Sequence, residues 1–309
     1  MHSGAARSFL DELRARVLLG DGAMGTQLQL AGLEPGGCGE AWNLDCPERV
    51  LAIQRAYVEA GSDCLITNTF GGSRIMLERY GRAADTVAIN RAGVRVAREA
   101  FGARRGFVLG DMGPFGGLME PYGDIAESRV RDAFLEQAAA LVDAGADAII
   151  VETQTSLEEL GLAIEAVKKA GARCVIGSLA YDVMVDRSDL KTMMGVSPEE
   201  AAAFLRERGA DVAALNCGTG VDAAWAARVV ARYRAACDLP TMAQPNAGLP
   251  VLEKMKVVYK ETPEEMVARL PELLATGVRV VGACCGSTPE HIRAFRGLID
   301  SYQGGTKTP

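Results

Sequence analysis

Three cysteines carry the clearest chemistry in this chain. Cys284 and Cys285 are adjacent, after the apolar run Val280–Val281 and before a Gly-Ser-Thr-Pro turn. Cys217 stands in the same setting, directly after Val212–Asn216. Three thiolates at the ends of two apolar runs suit a soft or borderline ion such as zinc. Structural zinc sites draw on close Cys-x-x-Cys pairs and four protein ligands, whereas three ligands leave a position open, as in catalytic sites. Zinc so held can take a further thiol and keep it deprotonated near neutral pH. That sulfur is then a nucleophile without a histidine base. On spacing alone, a ligand role and a packing role for the three cysteines stand level.

The other titratable candidates read differently. The two histidines are His2, near the start, and His291, in the first turn of the last helix, where surface or packing roles are simplest. A histidine-centred triad is therefore not expected. Cys64 and Cys174 begin strands and read as small buried hydrophobes. Cys237 ends a helix and reads as packing. Cys38 and Cys46 flank Trp42 in a loop near the expected mouth, without a ligand role. A disulfide between Cys284 and Cys285 would need a strained eight-membered ring.

Eight short apolar runs recur along the chain and must position these groups. Each ends in small, polar or reactive residues, among them Asp21, Asn68, Asp111, Glu152, Cys217, Asn246 and the Cys284–Cys285 pair. Amphipathic stretches with helical period lie between them. Pro47 to Ala60 is one, with Val50, Ile53, Tyr57 and Val58 as its apolar stripe. A Gly-x-Asp exit recurs at Gly61, Gly145 and Gly209, and more loosely at Gly171. Ser197 and Thr262, each followed by Pro and then by an acid three residues on, read as helix starts.

Near-continuous apolar strands alternating with helices imply a covered parallel sheet. Eight units predict an α/β fold, a closed (β/α)8 barrel over residues 1–302, with 303–309 as a tail or linker. The rival, an open doubly wound sheet, lacks a Gly-x-Gly-x-x-Gly after its first strand. In a barrel, active groups gather at the C-terminal ends of the strands. Closure would then set the eighth unit beside the first.

Composition narrows the function classes. The chain has 309 residues, 49% apolar and 24% charged, with a net charge of -7. No dense basic run offers phosphate contacts, so no nucleic-acid partner is expected. The arginines at 91, 95 and 98 have helical spacing and read as a solvated face. No apolar run approaches a membrane span, and the first nineteen residues do not read as a secretory signal. Eight cysteines at this density suit a reducing, cytoplasmic setting.

The combined motifs resemble the zinc-dependent homocysteine S-methyltransferases. They are Asp21–Thr26, Gly61–Phe70, Gly110–Pro114, Val151–Thr153, Asn216–Gly218, Pro245–Pro250 and Gly282–His291. The resemblance implies a (β/α)8 barrel with zinc on Cys217, Cys284 and Cys285. It implies that Asp21 and Glu152 hold the homocysteine amine and that Gly22 makes a backbone contact. It also implies that Asn246 can occupy the metal's open position before substrate enters. Ala283 stands where a second glycine is common, and one added methyl should matter little. In appearance the likeness is nearest the N-terminal homocysteine-binding module of cobalamin-dependent methionine synthase. That implies methylcobalamin supplied by a separate corrinoid protein or by further modules. The alternatives are a small sulfonium donor such as S-methylmethionine, another small thiol as acceptor, or a non-catalytic zinc or thiol-sensing module. Residues 181–198 read as a long loop over the mouth, where a donor or partner could dock.

Overall fold

The computed structural model describes residues 7–253 and 256–305. Eight parallel strands form one sheet: β1 (Leu18–Leu19), β2 (Cys64–Ile66), β3 (Phe107–Met112), β4 (Ala148–Gln154), β5 (Val175–Leu179), β6 (Val212–Asn216), β7 (Thr241–Gln244) and β8 (Val280–Val281). Each pairs in parallel with its sequence neighbour from β2 to β8, and β8 returns to β1 through Leu18↔Val280 and Leu19↔Val281. The expected (β/α)8 barrel is what the chain forms.

The last joint, between β1 and β2, is made differently. Asp63 N donates to Leu19 O at 2.7 Å. Leu19 N donates to the Asp63 carboxylate at 2.9 Å, and Ile66 N to the Asp21 carboxylate at 2.8 Å. Side-chain oxygens thus stand in for ladder carbonyls where β1 is too short to supply them. The recurring Gly-x-Asp exit has the same use elsewhere. Asp147 takes Val108 N and Asp211 takes Val175 N, each at 2.8 Å. The glycines before them hold positive φ: 108° at Gly61, 90° at Gly145 and 71° at Gly209.

Helices cover the outside. Pro47–Ala60 has the expected bounds and buries Val50, Ile53, Tyr57 and Val58. Ser197 and Thr262 each complete a reciprocal cap, with Glu200 and Glu265. One apolar cluster lies between sheet and helices, and a second fills the barrel lumen. Cys64 and Cys174 belong to the lumen cluster, as small buried hydrophobes. The helix Phe9–Ala15 adds Phe9 and Leu13 to it, with Phe9 edge-on to Phe107 at 5.4 Å.

Two antiparallel hairpins interrupt the connections, Asp182–Val183 with Leu190–Lys191 and Val251–Glu253 with Lys256–Val258. The first turns much of the expected loop over residues 181–198 into ordered structure. The last helix, Pro289–Gly305, runs past the boundary drawn at residue 302, and Gln303 donates to Val17 O at 3.3 Å. Residues 306–309 of the expected tail, and His2, lie outside the described residues. Among those described, no helix is long and apolar enough to cross a membrane.

Candidate metal and substrate site

Cys217 leaves β6 in a left-handed turn, with φ 57° at Cys217 and 85° at Gly218. A Cβ on Gly218 would lie 1.9 Å from Tyr181 O, so only glycine fits there. Cys217 N is held by Gln244 O at 3.2 Å and Cys284 N by Pro245 O at 2.8 Å. Ser287 Oγ donates to Cys284 O at 2.7 Å and accepts from Ala23 N at 3.0 Å. The loops after β1, β6, β7 and β8 are therefore tied together around the thiols. Gly22 lies inside this knot. A Cβ on it would meet Ser287 Oγ at 2.6 Å and the Tyr57 ring at 2.9 Å.

Cys217 Sγ lies 3.8 Å from Cys285 Sγ, and Cys284 Sγ lies 3.9 Å from Cys285 Sγ. All three sulfurs fall within 4.8 Å of one another. A tetrahedral ion with metal–sulfur bonds of about 2.3 Å sets its sulfurs about 3.8 Å apart. The three cysteines therefore fit a metal ion without rebuilding the backbone. Hydrogen bonds from Cys284 and Cys285 bring the Cys217 thiol down to about 3. The same bonds push Cys284 well up and Cys285 to about 11. Among the described residues this is the group of cysteine, histidine and acidic side chains able to hold an ion.

The sulfurs open onto a cavity of about 310 Å³ at the C-terminal ends of the strands. Asp21, Gly22, Asn68, Asp111 and Glu152 line it together with the three cysteines. Six strand ends distant in sequence thus meet at one place. Asp21, Asp111 and Glu152 are all buried. Burial pushes Asp21 well up. It does the same to Asp111, helped by the neighbouring Glu152 charge, and raises Glu152 to about 7. Asp111 and Glu152 are hydrogen-bonded to each other, so the pair shares a proton.

Asn246 stands outside the cavity wall. It hydrogen-bonds Cys217 and donates to Gly218 O at 3.0 Å, while its buried Oδ1 has no partner. His291 is buried packing, not surface. Thr288 N donates to its Nδ1 at 3.2 Å, so Nε2 carries the hydrogen to Glu261 O at 2.9 Å. Cys237 is buried, and Cys38 lies 3.6 Å from Glu40 rather than in the sulfur cluster.

Some contributors act through contacts that their place in the sequence does not announce. Asn216 accepts from Thr153 N at 3.0 Å and Ser178 Oγ at 2.6 Å, and its amide faces Cys284 Sγ at 4.0 Å. Tyr259 hydrogen-bonds Cys285 from the exit of the second hairpin. Asp111 is visible as a strand-end acid, but its pairing with Glu152 follows from the β3–β4 register, Asp111↔Ile150 and Met112↔Val151.

A family profile described as Homocysteine S-methyltransferase matches residues 18–299. Methionine synthase of Mycobacterium tuberculosis is 36% identical over 305 residues, covering 94% of this chain and 25% of that protein. Methionine synthase of Mycobacterium leprae is 34% identical over 312 residues, covering 96% and 25%. The chain thus spans about a quarter of the length of these relatives. The metallated homocysteine methyltransferase MmuM of Escherichia coli superposes with a TM-score of 0.76 at 22% identity, covering 93% of this chain and 99% of that one, a likeness of fold. On the extent of the profile match and the identity to these relatives, the chain belongs to the homocysteine S-methyltransferase family.

Proposed function

We propose that the chain transfers a methyl group to the thiol sulfur of L-homocysteine, giving L-methionine, with zinc held by Cys217, Cys284 and Cys285. The observation that carries this reading is the sulfur triangle opening onto a cavity walled by buried carboxyls. Zinc, when bound, supplies a thiol that is ionised at neutral pH.

The chain's residues do the rest. Asp21 and Glu152 take the substrate ammonium, and the backbone at Gly22 takes a polar contact close to it. A neutral thiol without an amine leaves these carboxyls uncompensated and is rejected. Asn246, beside Cys217 and with a buried Oδ1 that has no partner, would be a further residue able to hold the ion before substrate arrives. The cavity fixes the sulfur for in-line displacement, in which the S–CH3 bond forms as the donor's bond to that carbon breaks. A bound zinc would hold the thioether product less tightly than a thiolate, which would favour release.

A small sulfonium donor such as S-methylmethionine is the better supported source of the methyl group. The fold covers 99% of a chain that is itself a homocysteine methyltransferase. A corrinoid donor on another protein or module is the second reading, favoured by the higher identity to methionine synthases, of which the chain spans a quarter. The test is methionine formation by zinc-loaded protein with homocysteine and, in turn, S-methylmethionine, methylcobalamin, a methylated corrinoid protein, S-adenosylmethionine and betaine. Turnover with S-methylmethionine alone supports the first reading, and turnover only with a corrinoid supports the second. Inactivity with every donor, despite zinc and homocysteine binding, would leave the proposed transfer without support.

A further inference from the structure

The cavity wall holds more carboxyl acceptors than the chain supplies donors for. Asp21 has one oxygen on Ile66 N at 2.8 Å, while its buried Oδ1 has no donor. Among the described contacts, no N–H or O–H of the chain outside the Asp111–Glu152 pair reaches the Asp111 carboxyl, and its Oδ1 is buried. Whichever oxygen faces Glu152, the other is left over. Asp111 is nevertheless held firmly. Its N–H donates to Thr67 Oγ1 at 2.9 Å, and its carbonyl accepts from Thr69 Oγ1 at 2.8 Å and Gln137 Nε2 at 3.3 Å. A carboxyl 3% exposed, fixed on a cavity wall and short of donors, is costly to fold unless a ligand supplies them.

Two carboxyls suffice to neutralise an ammonium, but a primary ammonium carries three N–H donors. We propose that Asp111 is the third acceptor and a specificity-determining residue: with Asp21 and Glu152 it engages all three N–H groups and so selects a primary, unsubstituted amine on the thiol substrate. This rests on the reading of homocysteine as acceptor. N-methylation replaces one donor by a methyl group and leaves one acceptor buried and unmet.

The test is calorimetric binding of homocysteine, N-methylhomocysteine and the deamino analogue 4-mercaptobutyrate to the zinc-loaded protein. Wild type should bind N-methylhomocysteine roughly 10–100-fold more weakly than homocysteine, the worth of one charge-assisted hydrogen bond. In Asp111→Leu that ratio should fall below about 3-fold. Asp111→Asn keeps the shape and a carbonyl acceptor, so it should weaken both ligands a few-fold yet preserve the ratio. It also controls for folding, which thermal melts of each variant monitor. An unchanged ratio in Asp111→Leu, with both ligands weakened alike, overturns the proposal and leaves Asp111 only orienting Glu152. Equal binding of homocysteine and 4-mercaptobutyrate by wild type overturns the acceptor reading itself, and the Asp111 proposal with it.

Discussion

The sulfurs of Cys217 and Cys285 lie 3.8 Å apart although 68 residues separate them in the chain. Two of the three thiols come from one loop and the third from a left-handed turn two strands away. Cys217→Ala removes the thiol that alone spans the two loops. Bound zinc should fall from one equivalent to a trace, and methionine formation by at least about 100-fold. Metal analysis after gel filtration checks the first and a thiol-consumption assay the second. Full activity in this variant would end the metal-centred account.

Metal loading should release protons. In the metal-free protein hydrogen bonds to Cys217 keep Cys284 and Cys285 as thiols, the latter up to about 11, while Cys217 is already a thiolate. All three must be thiolates to bind, so loading near pH 7 should expel about two protons. Affinity then rises with pH, up to about 100-fold per unit, and is lost as pH falls. Titration calorimetry in buffers of different ionisation enthalpy counts the protons directly. A count of zero would mean that the thiols are already ionised.

Gly218→Ala should be among the most damaging single-methyl changes. The new Cβ meets Tyr181 O at 1.9 Å, and the residue must hold φ 85°. A loss of about 3 kcal/mol or more, with Cys217 misplaced, is expected. Gly297→Ala is the control. Gly297 is exposed in the last helix with nothing near its Cβ direction. It should gain about 0.5–1 kcal/mol. Denaturant melts of both variants decide this, and equal effects would contradict it.

Glu159 sits three residues after the Ser156 cap and accepts Phe115 N at 2.8 Å. Burial raises its carboxyl to about 7. The folded state therefore holds the proton more tightly than the unfolded chain does. Stability should fall as pH rises from about 4.5 to about 7 and then level off. Glu159→Gln keeps an acceptor for Phe115 and removes the titration. It should gain on the order of 2 kcal/mol over wild type at pH 8 and little at pH 4.5. A constant difference across that range would show that the group is not responsible.

Much of this molecule is legible in its sequence because the signals are local. Apolar runs mark the strands, Ser197 and Thr262 mark helix starts, and the barrel rule then gathers Asp21, Asp111, Glu152 and the three cysteines. Other features depend on register or on long-range packing. The helix Phe9–Ala15 carries an ordinary amphipathic pattern, and only the closed barrel turns Phe9 and Leu13 into a lumen plug. Asn246 is a strand-end residue like the others, yet its amide turns toward Gly218 and Cys217 rather than to the cavity wall. The Gly-x-Asp exits announce helix ends. That their carboxylates close neighbouring strands follows only from which backbone N–H lies opposite.

Those aspartates yield a graded prediction. Each takes one strand N–H, but their further partners differ. Asp63 also pairs with Arg16 at 2.9 Å and Arg296 at 3.0 Å, at the joint where β1 lacks a ladder to β2. Asp147 adds one exposed arginine, Arg98, at 2.7 Å. Asp211 has only Val175 N among its side-chain hydrogen bonds and ion pairs in the described residues. Replacement by alanine should then cost about 3 kcal/mol or more at Asp63, about 2 at Asp147 and about 1 at Asp211. The Asp63 variant should also lose substrate affinity, because Asp21 lies across the same joint and is held by Ile66 N. Urea melts rank the three variants, and homocysteine titration separates the first from the others. If Asp63→Ala proves no worse than Asp211→Ala, the ladder between β1 and β8 alone closes the barrel, and the two arginines at Asp63 are surface decoration.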